Sequence, residues 1–349
     1  MTRKNKILLA AGCCAAAALV AVGVLRGLAR TPHDSTTYAM STIVTQRAYG
    51  LQAEQAMRQV ESTLREFEGR LSLFDQDSEI AAINAAAGDH PVRVSAATFG
   101  LLRQSLALSA TSEGAFDITI APLTQLWGIT TDHPRVPTQQ EIDGALALVG
   151  DAEVQLDQQA STVFLPRAGQ AIDLGGIAKG NACVLAQRIY EDCGVKSAVL
   201  SIGGNVYVRG RNPDGEQFRV GFRTPKRADE SYIASVALED QIMAVSGGYE
   251  RYFEEGGVRY HHILSSETGY PAQSDIVSVG VICEDGTRAD FLSTTLFVWG
   301  TEKTREFMRS HDDVAVILLT EGEELLVSRS LQESFRLSEQ GAGYRVTFI

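Results

Sequence analysis

The sequence predicts an α+β protein with mixed, largely antiparallel sheets flanked by helices, and three observations lead there. Apolar residues recur at helical spacing in most segments before about residue 150. From Val154 onwards short β runs take over, separated by turns such as Asn212-Pro213-Asp214-Gly215, a sequential segregation that argues against a doubly wound parallel sheet. Finally, 349 residues with 44% hydrophobic and 21% charged content can bury a large core, as one two-lobed domain or as two domains.

The elements follow in order. Arg3, Lys4 and Lys6 precede an apolar run from Ile7 to Leu25, so residues 1–30 read as a signal peptide or membrane anchor. Lipidation at Cys13, an uncleaved single span and simple cleavage are all open; in a bacterium each puts the globular part outside the cytoplasm, and a span or a lipidated Cys13 would anchor it at the periplasmic face of the inner membrane. Residues 31–37 read as linker and 38–349 as the globular domain. A first strand is expected over Tyr38–Thr45, then a helix from Leu51 to Arg70 with Ala53, Ala56, Val60, Leu64 and Phe67 on one face. Asp75 to Ser78 should cap a helix ending near Gly88, and further helices are expected over Ser95–Glu113 and Thr138–Val149. Strands are expected at Val163–Leu165, Ala171–Asp173, Ala198–Ile202, Val206–Arg209, Phe218–Arg223, Ile233–Leu238, Met243–Ser246, Arg259–Ile263, Ile276–Ile282, Val314–Leu319 and Leu325–Val327. A helix from Arg288 to Trp299 and a helical piece from Thr304 to Arg309 lie between the last of these.

Composition excludes some classes. A net charge of −12 leaves no basic stripe for duplex nucleic acid. Of the five cysteines, Cys13 and Cys14 sit in the leader, and Cys183, Cys193 and Cys283 form neither a disulfide framework nor a zinc pattern.

The chemistry concentrates in AIDLGGIAKGNACVLAQRIYEDCG. Asp173, Gly175 and Gly176 end a β run just before a helix carrying Lys179 in its first turn. Unpaired N–H donors, a positive dipole end, close backbone approach and a mobile cation together make an anion site, most often for phosphate. An ordinary strand-to-helix turn with a solvated lysine is the alternative. Asp290 and Thr294, four apart in RADFLSTTLFVWG, present a carboxylate and a hydroxyl on one helix face, which suits magnesium. The alternative there is that Thr294 bonds back to the Asp290 carbonyl. His261 and His262 lie on one strand, so only one of them can face a site.

In order, these segments resemble the FAD:protein FMN transferases, the ApbE family, over nearly all of the chain after the leader. Met40-Ser41-Thr42, LSLFDQDSEIAAIN, GAFDITIAPLTQLWG, DLGGIAKG with SIGGN, SGGY with YFE, HHI with TGYP, and ADFLSTTLFVWG carry the resemblance. It implies a two-lobed ApbE-like, T-fold-related domain that moves FMN from FAD onto a threonine or serine of a partner protein and releases AMP. It also implies magnesium at Asp290 and Thr294, with backbone oxygens near Gly176 and Ser293. Flavin and adenosine contacts are implied at Met40, Phe74, Ala115, Phe116, Asp117, Asp173, Lys179, His262, Ile263 and Leu264. Two departures stand out: Ser265-Ser266 occupies the place of a usual Asp-Pro, and Phe74 that of a common tyrosine. The expected chemistry is phosphoryl transfer, with Asp290, Lys179 and His262 as catalytic candidates; His262 and a metal-bound carboxylate are both candidates for the base. FAD hydrolysis to FMN and AMP, or flavin binding without turnover, are the alternatives.

Overall fold

The computed structural model describes Gly27 and residues 30–223 and 232–349, so the expected signal peptide or anchor, with its apolar run of residues 7–25, lies outside the described residues. Among the described residues no helix is long and apolar enough to cross a membrane.

The chain opens with a hairpin, β1 (Pro32–Ala39) paired antiparallel to β2 (Thr42–Tyr49), where linker and a single strand are expected from the sequence. The reason is positional. β1 is an edge strand with every second residue exposed, so its Thr- and Ser-rich sequence lacks the apolar alternation of a half-buried strand. The globular part therefore begins near Pro32, not at Tyr38.

Helix α1 (Ala53–Leu71) follows, burying the face that starts with Ala53. Then come α2 (Glu79–Ala85), capped by Ser78, β3 (Val92–Arg93) and α3 (Ala96–Ser109). The short helices α4 (Ala121–Trp127) and α5 (Gln139–Leu146) come next, the second closed by a reciprocal capping box between Thr138 and Glu141. Small strands β4 (Gln155–Asp157) and β5 (Thr162–Phe164) complete a sheet with β3. The expected strand at Ala171–Asp173 is reduced to one bridge, Ala171 to Ile120, because the chain turns at once into the glycine pair.

Helix α6 (Ala178–Asp192) leads into β6 (Ser197–Ile202), β7 (Asn205–Gly210), β8 (Phe218–Arg223), β9 (Tyr232–Leu238) and β10 (Gln241–Gly247). The hairpin β11 (Tyr252–Glu255) and β12 (Val258–His261) precedes β13 (Ile276–Cys283). Helix α7 (Gly286–Ser310) joins the two expected helical pieces across a break at Gly300 (φ 78°, ψ 178°). Strands β14 (Ala315–Thr320), β15 (Glu324–Val327), β16 (Phe335–Leu337) and β17 (Arg345–Phe348) end the chain.

Among the described residues one nine-stranded sheet, β1-β2-β6-β7-β10-β13-β14-β15-β17, organises the fold. Every pairing in it is antiparallel except β15 with β17. Its central strands are buried on both faces, and the two-residue period decides which core each side chain joins. Val316 and Leu318 pack with α1, α6 and α7, while Ile317 and Leu319 pack with β8, β9 and β16. Helices thus cover one face and a small antiparallel sheet the other. A satellite core around Trp127, Leu123, Ile142 and Leu264 forms a smaller lobe beside them.

Candidate active site

Two glycines bring the site together. Helices α6 and α7 cross at Gly180 and Gly286, each fitting against the other's carbonyl: a Cβ on Gly180 would lie 2.0 Å from Gly286 O, and one on Gly286 2.5 Å from Gly180 O. This approach lets the Gly180 N–H donate to Asp290 Oδ2 at 2.8 Å. It also sets the glycine turn against α7, since a Cβ on Gly176 would sit 3.5 Å from Thr294 Oγ1 and 3.0 Å from the Phe116 ring. The late carboxylate–hydroxyl pair and the early glycine turn, more than a hundred residues apart in sequence, therefore form one wall.

That wall belongs to a cavity of about 310 Å³ at the end of the large sheet. The hairpin turn Met40–Thr42, the β6–β7 turn at Gly203 and Gly204, and the end of β10 at Val245–Gly247 line it. Phe74, Ala115, Phe116, Asp117, Asp173, Gly176, Lys179, His262, Ile263, Leu264, Asp290 and Thr294 line it too, so the structure gathers every expected site residue except Ser293. Ser293 is fully buried, its hydroxyl donating to the Asp290 carbonyl (2.9 Å) and meeting Ser246 Oγ at 2.8 Å. Ser293, not Thr294, thus bonds back along the helix, and Thr294 is left facing the cavity.

The carboxylates have distinct tasks. Asp173 holds the turn: its Oδ1 accepts from Gly175 N–H (2.8 Å) and its Oδ2 from Thr124 Oγ1 (2.9 Å). Asp117 accepts from Thr119 N–H and hydroxyl on one oxygen, and from Asp151 N–H (3.0 Å) on the other, which fixes the Ala115–Asp117 segment. Burial, and then the neighbouring Asp117, push the Asp151 carboxyl up to about 6. Phe116 stacks edge-on against Phe291 at 5.0 Å, and Phe74 stands at the mouth 57% exposed, an open aromatic face.

Of the adjacent histidines only His262 lines the cavity. His261 turns away, its ring edge-on to Phe297 and its Nε2 meeting the Ala272 carbonyl at 3.1 Å. The Arg251 carbonyl meets both His262 N–H (3.1 Å) and His262 Nδ1 (3.2 Å). A carbonyl only accepts, so Nδ1 carries the proton and Nε2 keeps its lone pair. Burial, with Lys179 and Arg251 adding positive charge, drives His262 down to about 3. Lys179 reaches back to Gly175 O at 3.3 Å.

The sequence profile of the ApbE family matches residues 36–318, which contain every one of these groups. The chain belongs to the ApbE family. A FAD:protein FMN transferase of Klebsiella pneumoniae is 34% identical over 283 residues, covering 81% of this chain and 87% of the relative. One of Treponema pallidum is 31% identical over 337 residues, covering 91% and 93%. Among solved structures, the ApbE protein of Thermotoga maritima superposes with a TM-score of 0.78 at 29% identity, over 90% of this chain and 99% of that one.

Within the ApbE fold, the Ser265-Ser266 departure is absorbed locally. Ser265 Oγ accepts from Glu267 N–H and Thr268 N–H, both at 3.2 Å, capping the turn as an aspartate could, while Glu267 does not line the cavity. Gly269 O in turn accepts from the buried Trp127 Nε1 at 2.8 Å, pinning the TGYP loop to the smaller lobe. Sequence reasoning missed Glu68, Thr124, Glu250 and Arg251, all of which line the cavity. The charges of Glu68 and Arg251 carried no motif, though SGGYER placed Arg251 close to a recognised segment.

Proposed function

We propose that this ApbE-family protein transfers FMN from FAD to a threonine or serine hydroxyl of a partner protein, forming a phosphoester and releasing AMP. The observation that carries the reading is the Gly180–Gly286 crossing, which sets Asp290 and Thr294 against the Gly176 turn and Lys179. One anion lodged there would meet all of them.

The donor set fits magnesium. A buried carboxylate, a hydroxyl and main-chain oxygen at Gly176 form a hard set of few ligands. Among the described residues no group of three or more His, Cys, Asp and Glu competes as a softer site. Asp290, Thr294 and Gly176 would hold the ion, with any part of Ser293 limited to its backbone. Bound there, magnesium would supply charge neutralisation for a diphosphate.

The protein's own groups do the rest. Lys179 and the α6 N-terminus favour negative charge developing toward the AMP leaving group. Phe74, Met40 and the Ala115–Asp117 segment orient the dinucleotide, and Asp173 keeps the glycine turn in shape. The acceptor hydroxyl forms a new bond to the FMN-side phosphorus as the bond to the AMP oxygen breaks. His262 Nε2, unprotonated, takes the hydroxyl proton. The apolar run of residues 7–25 supports a location at the periplasmic face of the inner membrane, by a span or a lipidated Cys13.

Asp290→Asn is the sharpest test. Asp290→Ala would leave the Gly180 N–H unpaired inside the crossing, a cost of about 1–3 kcal/mol, whereas asparagine keeps an acceptor and removes the charge. Incubation with FAD, magnesium and a threonine-bearing acceptor peptide, read as covalent flavin fluorescence in a denaturing gel, should give a band with the wild type and none with Asp290→Asn. Equal bands would sink the metal assignment. FMN and AMP without labelled peptide would make the enzyme a hydrolase.

A further inference from the structure

We propose that Glu68 and Arg251 are positioning residues that clamp the main chain of Ser41, one at its N–H and one at its carbonyl, and so hold the Met40 wall of the cavity in its binding shape. The turn between β1 and β2 is formed by Met40 (φ 55°) and Ser41 (φ 56°), both left-handed. Hairpin turns of this kind favour asparagine and glycine, because a Cβ is costly there. Met and Ser stay left-handed only if their surroundings over-determine them.

The surroundings are two charged side chains from distant parts of the chain. Glu68, on α1, accepts from Ser41 N–H at 3.2 Å. Arg251, between β10 and β11, donates from Nη2 to Ser41 O at 2.8 Å. Both hydrogen bonds are charge-assisted, and all four residues line the cavity. Among the described residues neither Glu68 nor Arg251 forms an ion pair, so the main chain of Ser41 is the side-chain partner of both. The Arg251 carbonyl meanwhile holds His262. One residue thus ties the flavin-side wall to the histidine across the site, by its side chain on one side and its main chain on the other. Replacing the side chain leaves the histidine's carbonyl partner in place, so the two roles are separable.

The affinity part of this inference rests on the reading that the cavity takes FAD; the conformational part does not. The full chain is compared with Glu68→Ala, Arg251→Met, Arg251→Lys and the Glu68→Ala/Arg251→Met double variant. Hydrogen exchange at the 40–42 amides is measured without ligand, and FAD affinity, KM and kcat are measured with magnesium. If loss of either arm leaves the turn competent about a tenth of the time, exchange rises and FAD affinity falls about tenfold, with kcat within about threefold of wild type. The double variant should lose at least as much as the worse single, since both bonds favour one turn, and Arg251→Lys should recover part of the loss. Unchanged exchange at residues 40–42 in folded single variants overturns the clamp, and so does a double variant that loses less than either single. A wild type that binds no FAD would refute the proposed function instead, and the exchange measurement would still decide the clamp.

Discussion

Adding one methyl group at Gly180 tests whether the helix crossing makes the site. The new Cβ would lie 2.0 Å from Gly286 O and 2.5 Å from Asp290 Cβ, where ordinary contact begins at 3.4 Å. The nearer contact is a backbone carbonyl, so no side-chain rotation relieves it, and the helices must part by about 1.4 Å, the shortfall between 3.4 and 2.0 Å. Overpacking of this kind costs about 1–3 kcal/mol. The same shift stretches the Gly180 N–H to Asp290 bond and withdraws Thr294 from the Gly176 turn. A displacement near 1 Å at a reacting centre lowers rates by about 100-fold. Gly180→Ala should therefore lose about 100-fold in kcat/KM for flavin transfer to an acceptor peptide, and about 1–3 kcal/mol in urea unfolding. Gly69→Ala is the matched control, since an added Cβ there meets nothing within 4 Å. On exposed α1 that change should stabilise by about 0.5–1 kcal/mol and leave transfer unchanged. Wild-type transfer by folded Gly180→Ala would refute the claim that the crossing sets the site.

Two pH predictions follow. His262 is held down to about 3, so kcat/KM, which reports the free enzyme, should show no inflection near 6.5 from this residue; a break there that vanishes in His262→Gln would contradict the assignment. Asp151 is held up at about 6 against an ordinary 3.8, so the stability attached to it is complete below about pH 4 and lost as pH rises through 6. Asp151→Asn should thus melt higher than wild type at pH 7.5, with the difference shrinking toward pH 4, and a pH-independent difference would show that charge is not the cause.

Much of the fold was legible because its strongest signals are local. The face of α1, the Ser78 cap, the start of α5 at Thr138 and the glycine stop after α6 follow from spacing and turn chemistry alone, whereas α4 did not show in its mixed sequence. β1 was not legible, since an edge strand with one wet face carries polar residues and looks like linker. The end strands β16 and β17 were missed for a related reason. They are short and pair with distant β9 and β15, so the contacts that make them strands lie outside any sequence window.

The site divides along the same line. Residues that must be one chemical kind, such as Asp290 for charge or Gly176 for close approach, stand out in sequence and reached the cavity as expected. Ser293 does not line the cavity, its side chain turning to Ser246 on β10; the resemblance implied only a backbone oxygen there, which side-chain packing does not reveal. Glu68 and Arg251 were invisible for a deeper reason. Their partner is the main chain of Ser41, whose left-handed shape is itself unannounced, since Met and Ser are not residues from which such a turn is predicted. Strain held by long-range hydrogen bonds leaves no local pattern, so a sequence shows the groups that do chemistry more readily than the groups that hold them still.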